Sequence, residues 1–147
     1  MYVSVATYMV DDVLLNKVAI IERCLGRLEQ EYRGHEDEIE TNLTRQDSII
    51  LNLQRCCEAA IDLAMHGVRV RRLGLPQESR EAFTLLQGTG LIDEMLMRRM
   101  QAMVGFRNIA VHNYQKLSLE IVRSILNENL DDFRQFCAAM LKLDVQA

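Results

Sequence analysis

The sequence predicts an all-α protein, an antiparallel bundle of four long helices plus one short helix, in a single domain covering residues 1–147. Three observations predict it. Apolar residues recur every three or four positions over long segments, and no segment sustains the period-two alternation of a strand. Those segments are rich in Leu, Ala, Met, Glu, Gln and Arg, all good helix formers. The chain has one proline, and Gly34, Gly74, Pro76, Gly88 and Gly90 fall between the periodic stretches as punctuation.

The first helix is expected from Asp11 to about Tyr32, with Leu14, Val18, Ile21, Leu25, Leu28 and Tyr32 on one near-heptad seam. That seam suits a neighbouring helix or a second subunit. Residues 1–10 either extend the helix or stay loose. Gly34 closes it, and residues 35–40 form an acidic, solvated connector. Thr44 and Asp47 stand in capping relation, so the second helix starts there and runs through Ile50, Leu53, Cys57, Ala60, Ile61 and Ala64 to about Arg72. Its polar positions include Asp47, Asn52, Arg55, Glu58 and Asp62, and His66 reads as a packed helical histidine. Arg69, Arg71 and Arg72 load its last turn. They either complement the helix dipole or steer phosphate outside a cleft.

Pro76 starts a short helix to about Leu86, anchored by Phe83, Leu85 and Leu86. The fourth helix begins near Asp93. After a connector at residues 115–117, Ser118 caps a fifth helix that turns Leu119, Val122, Ile125, Leu126, Phe133, Phe136, Cys137 and Met140 inward.

Composition narrows the function classes. No apolar run reaches the length of a membrane span. The N-terminus lacks the basic start and apolar centre of a secretory signal. A cytoplasmic protein without a membrane partner is expected. Cys24, Cys56, Cys57 and Cys137 show no metal-ligand or disulfide spacing and read as small buried hydrophobes. No cofactor is implied. The net charge of −4 argues against broad coating of nucleic acid, yet a local basic cleft can attract phosphate to an acidic body.

The chemistry concentrates at Gly105–Tyr114, at the C-terminal end of the fourth helix. Leu96, Met100, Met103, Val104 and Val111 form an apolar stripe, and Arg107 falls on it. Because an unpaired buried guanidinium is costly, Arg107 has a carboxylate partner, with Glu58 or Asp47 favoured, or points into a wet cleft. His112 lies about 140° further round an ideal helix. The two converge only if the helix loosens or a second copy completes the site.

Arg107, His112 and Tyr114 make an Arg-x-x-x-x-His-x-Tyr pattern, with Asn108 after the arginine and Gly105-Phe106 before it. With the run from Asp47 to Arg55 and the segment Leu73-Gly74-Leu75-Pro76, this set resembles the signature of HepT-type toxins, in the HEPN superfamily of helical RNA-cleaving proteins. The resemblance covers the chain from Asp11 to Leu143 and implies an HEPN-like bundle. RNA carries its own nucleophile, the 2′-hydroxyl. Histidine suits proton transfer near neutrality and arginine suits phosphate charge. His112 is therefore the expected general acid/base of a metal-independent endoribonuclease. Arg107 would stabilise the phosphate, and Asn108 would orient Arg107 or donate to a phosphate oxygen. The resemblance further implies a homodimer with a shared groove, and a nucleotidyltransferase antitoxin that adds AMP to Tyr114. Tyr114 otherwise reads as a structural tyrosine at the helix end. Two alternatives stand beside the toxin: a non-catalytic helical dimer that binds the nucleotidyltransferase, and a bundle in which Arg107 holds a nucleotide.

Overall fold

The computed structural model describes residues 11–146. The reading of residues 1–10 lies outside them. Helix α1 spans Asp12–Tyr32, α2 Leu43–Val70, α3 Ser79–Gly88, α4 Glu94–His112, α5 Leu119–Ser124 and α6 Leu130–Gln146, with 3-10 turns at Glu36–Glu38 and Tyr114–Lys116. Among the described residues there is no strand.

Helix α2 is the axis of the bundle and packs against α1, α3, α4 and α6. It carries Ile49, Leu53, Cys56, Leu63 and Ala64 with no exposed surface. Burying a residue the size of Leu or Ile stabilises by roughly 1.5–3 kcal/mol relative to exposure. Ion pairs reveal the directions. Lys17 of α1 meets Asp62, and Glu31 meets Arg45, so α1 and α2 are antiparallel. Glu29 and Tyr32 of α1 reach Arg134 and Asn127, so α1 is also antiparallel to the last helical segment. Gly67 lies inside α2, where glycine costs about 1 kcal/mol against alanine. A Cβ there would stand 2.5 Å from Met140 Cε and 3.2 Å from Leu143 Cδ1, so the glycine admits α6.

The seam of α1 is spent inside the protomer. Leu14, Val18, Ile21, Leu25, Leu28 and Tyr32 are all buried. The four cysteines are free and buried. No helix among the described residues is long and apolar enough to cross a membrane.

Several boundaries differ from expectation. The cap of α2 is Asn42, whose side chain accepts from the Arg45 amide at 3.1 Å, so the Thr44–Asp47 pair is not the cap. Asp47 is thereby left available for a tertiary contact. The acidic connector is only partly solvated. Ile39 is fully buried, while Arg123 holds the Glu36 carbonyl and the Glu40 carboxylate, and Arg45 holds Glu38. Pro76 lies outside the short helix, which begins at Ser79 with Glu78 at its N-cap. Asp93 and Ser118 cap as expected, accepting from the amides of Leu96 and Ile121.

The expected fifth helix is divided by a π-helical stretch, Ile125–Asn129, between α5 and α6. A π turn adds a residue to the helical repeat and resets the face that follows. Here Ile125, Leu126, Leu130, Phe133 and Phe136 all stay buried, while Asn127 accepts from the Tyr32 hydroxyl at 2.9 Å. Asp132, nearly sealed, is neutralised by Arg99 at 3.3 Å and receives the Asn129 amide.

Candidate active site

Helix α4 places the motif. Leu96, Met100, Met103, Val104, Phe106 and Ala110 are buried and lock it onto the bundle. Val111 departs from the expected stripe: it is 40% exposed, and every residue from Val111 to Lys116 is exposed. The last turn runs past the core it would need to pack against.

Arg107 satisfies both conditions set by its place on an apolar stripe. Its Nη2 donates to Glu58 Oε2 at 3.3 Å, and its Nη1 donates to Asn108 Oδ1 at 3.2 Å. Its side chain also borders a cleft of about 160 Å³ lined by Glu58, Ile61, Asp62 and Ser79. The Nε is buried without a hydrogen-bond partner. A planar fork with one unmatched donor is suited to an anion that brings its own oxygens. Asn108 is exposed beside it.

Of the two acids weighed for Arg107, Glu58 is the partner. Asp47 instead accepts from the Tyr114 hydroxyl at 3.2 Å. Because Asp47 precedes Glu58 on α2 while Tyr114 follows Arg107, α2 and the motif segment run in opposite directions. Partial burial, together with the Asp47 carboxylate, pushes the Tyr114 phenol above its ordinary range.

His112 is the last residue of α4 and is exposed. The helix keeps α geometry through it, and the Asn113 amide closes on the Ile109 carbonyl at 2.8 Å. The helix therefore does not loosen, the offset of about 140° stands, and no hydrogen bond joins Arg107 and His112 among the described residues. His112 makes none at all within that set.

Arg69, Arg71 and Arg72 lie at the far end of α2, about 16 Å along its axis from Glu58 by helical rise. Arg69 donates to His66 Nδ1 at 3.0 Å, and Nε2 of that buried histidine meets Asp11. Arg71 donates to the Leu143 carbonyl, and Arg72 takes a left-handed φ of 55°. Two cleft features escaped sequence reasoning. Ser79 lines the cleft because α3 starts later than the Pro76 signal indicated. Arg80 packs its Nη2 over Gly105, 3.0 Å from where a Cβ would stand. A glycine amid the bulky residues of α4 was the only signal for it.

Comparison with known proteins fits this geometry. The family model described as Ribonuclease HepT-like matches residues 21–140. The mRNA nuclease HepT of Shewanella oneidensis is 50% identical over 126 residues, covering 86% of this chain and 94% of the relative. A solved structure of a tri-AMPylated Shewanella oneidensis HEPN toxin in complex with an MNT antitoxin superimposes with a TM-score of 0.85 at 48% identity, covering 90% of this chain and 98% of the other. A toxin–antitoxin structure with AMP-PNP gives 0.83 at 47% identity, covering 88% and 98%. With a cationic cleft on α4, the motif in place and the model matched over most of its length, this chain belongs to the HepT-like ribonuclease family.

Proposed function

We propose that the protein is the toxin of a toxin–antitoxin pair, an endoribonuclease whose 2′-hydroxyl chemistry needs no metal ion. The observation that carries this is the division of labour on α4. Arg107 is held in a cleft by Glu58 and Asn108, while His112 is displayed bare to solvent. Arg107 and Asn108 bind the scissile phosphate. His112 moves protons between the 2′-hydroxyl, the departing 5′-oxygen and water. As the pentacoordinate phosphate gathers charge, the guanidinium, which stays protonated, offsets it. Arg69, Arg71 and Arg72 steer the incoming backbone from the far end of α2.

A twofold dimer brings the Arg107 of one protomer toward the His112 of the other. An apolar groove of about 460 Å³ supports this arrangement. It is lined on α4 by Met103, Phe106 and Ile109, then by Leu117, Ile121 and Ile125. Ile109, Val111 and Ile121 are exposed around it. The α1 seam, spent internally, does not contribute. A nucleotidyltransferase antitoxin silences the toxin by adding AMP to Tyr114, close to the motif. The AMPylated complex of the 48%-identical relative supports this reading. The added phosphate brings negative charge and bulk where an RNA backbone must lie.

The test is to incubate the purified protein with RNA in chelator and map the new ends. Cyclic 2′,3′-phosphate and 5′-hydroxyl ends are expected. Ends bearing 3′-hydroxyl and 5′-phosphate would overturn the chemistry, and a monomer at micromolar concentration would overturn the shared cleft. Glu58→Ala should lower the single-turnover rate roughly tenfold by freeing the Arg107 fork. The thermal melt should move by no more than about 1 kcal/mol, because the ion pair is partly exposed. An unchanged cleavage rate would remove Glu58 from the site.

A further inference from the structure

We infer that Asp47 accepts the proton of the Tyr114 hydroxyl during its modification, so that the toxin supplies the base for its own silencing. This rests on the reading of Tyr114 as the modified residue. The 3.2 Å hydrogen bond between the hydroxyl and Asp47 Oδ1 carries it. Both residues are exposed, so a transferase can reach the pair. The tyrosine sits on a firm support: its turn is closed by the Lys116 amide on the Asn113 carbonyl at 2.9 Å and by the Leu117 amide on the Tyr114 carbonyl at 3.0 Å. Among the described residues, Asp47 is the only side chain bonded to that hydroxyl. Asp47 is spared from capping α2, a task Asn42 performs.

The phenol needs such a partner. Its pKa is raised, so at neutral pH the oxygen holds its proton. In the transfer from ATP, the phenolic oxygen forms a bond to the α-phosphorus, and the bond from that phosphorus to the bridging oxygen breaks. The electron pair leaves with pyrophosphate. As the oxygen–phosphorus bond forms, the phenolic oxygen becomes far more acidic than a carboxylic acid, and its proton passes to Asp47. The carboxylate is neutralised in the step that places a negative phosphodiester beside it. Release of that proton to water then sets two negative charges side by side, which pushes the modified ring away from α2.

Initial rates of AMP addition to the full chain by the nucleotidyltransferase, with ATP and magnesium, test this by intact mass. Asp47→Asn keeps an acceptor oxygen but loses basicity. It should slow addition on the order of a hundredfold, with the KM for ATP unchanged, and Asp47→Glu should restore much of the rate. A wild-type rate in Asp47→Asn would overturn the inference and assign the base to the transferase. Tyr114→Phe separates the two levels. If it is modified as fast as the wild type, the modified residue lies elsewhere, and the reading of Tyr114 falls together with the role of Asp47. If it is unmodified while Asp47→Asn runs at full speed, only the role of Asp47 falls.

Discussion

His112→Ala is expected to reduce RNA cleavage about 10²- to 10⁴-fold, the range a positioned general acid/base contributes. The melting curve should barely move, within about 0.5 kcal/mol, because the side chain is exposed and makes no hydrogen bond among the described residues. Arg107→Ala should cost about 10²- to 10³-fold. Arg107→Lys should rescue little, since a point charge replaces a planar fork already engaged with Glu58 and Asn108. The shared cleft makes a sharper demand. Mixing the Arg107→Ala and His112→Ala proteins should recover activity, up to about a quarter of wild type if protomers exchange at random in a twofold dimer. No recovery on mixing would place both groups in one protomer. Equal cleavage by His112→Ala and wild type would trace the activity to a contaminant.

Phe83→Ala should destabilise the fold by about 3–5 kcal/mol. The ring is fully buried on α3 and meets Phe136 of α6 at a centroid distance of 5.3 Å and a tilt of 57°. Against a total stability of about 5–15 kcal/mol, that loss is a large fraction. The melting temperature should fall by roughly 6–20 °C for a domain of this size. The same ring anchors the helix whose first turn presents Ser79 to the Arg107 cleft and Arg80 to Gly105. Cleavage should therefore weaken below the melting point as well. A loss under about 1 kcal/mol would mean that neighbours close over the cavity.

The helices, most of their caps and the identity of the motif residues were legible without a structure. Each is encoded within a few residues. The period of buried positions along α1 and α2 follows from helical geometry, as does the placement of Asp93 and Ser118 one turn before the amides they cap. Local signals also misled. Thr44 with Asp47 imitates a cap that Asn42 supplies, and Pro76 imitates a helix start that comes at Ser79. The π stretch has no local signature in Ile125–Asn129. It arises because α5 and α6 must present one continuous face to α1, α2 and α4.

Residue types and short-range periodicity determined an all-helical bundle with an arginine, a histidine and a tyrosine at the end of one helix. Tertiary structure alone decided that Glu58 takes Arg107 across 49 residues and that Asp47 takes Tyr114 across 67. It also decided that the α1 seam is consumed within the protomer and that His112 faces water. The reason is physical. A helix's own pattern sets which face is apolar, but the register between two helices is set by how their side chains interdigitate, and a shift of one turn would exchange the acids' partners.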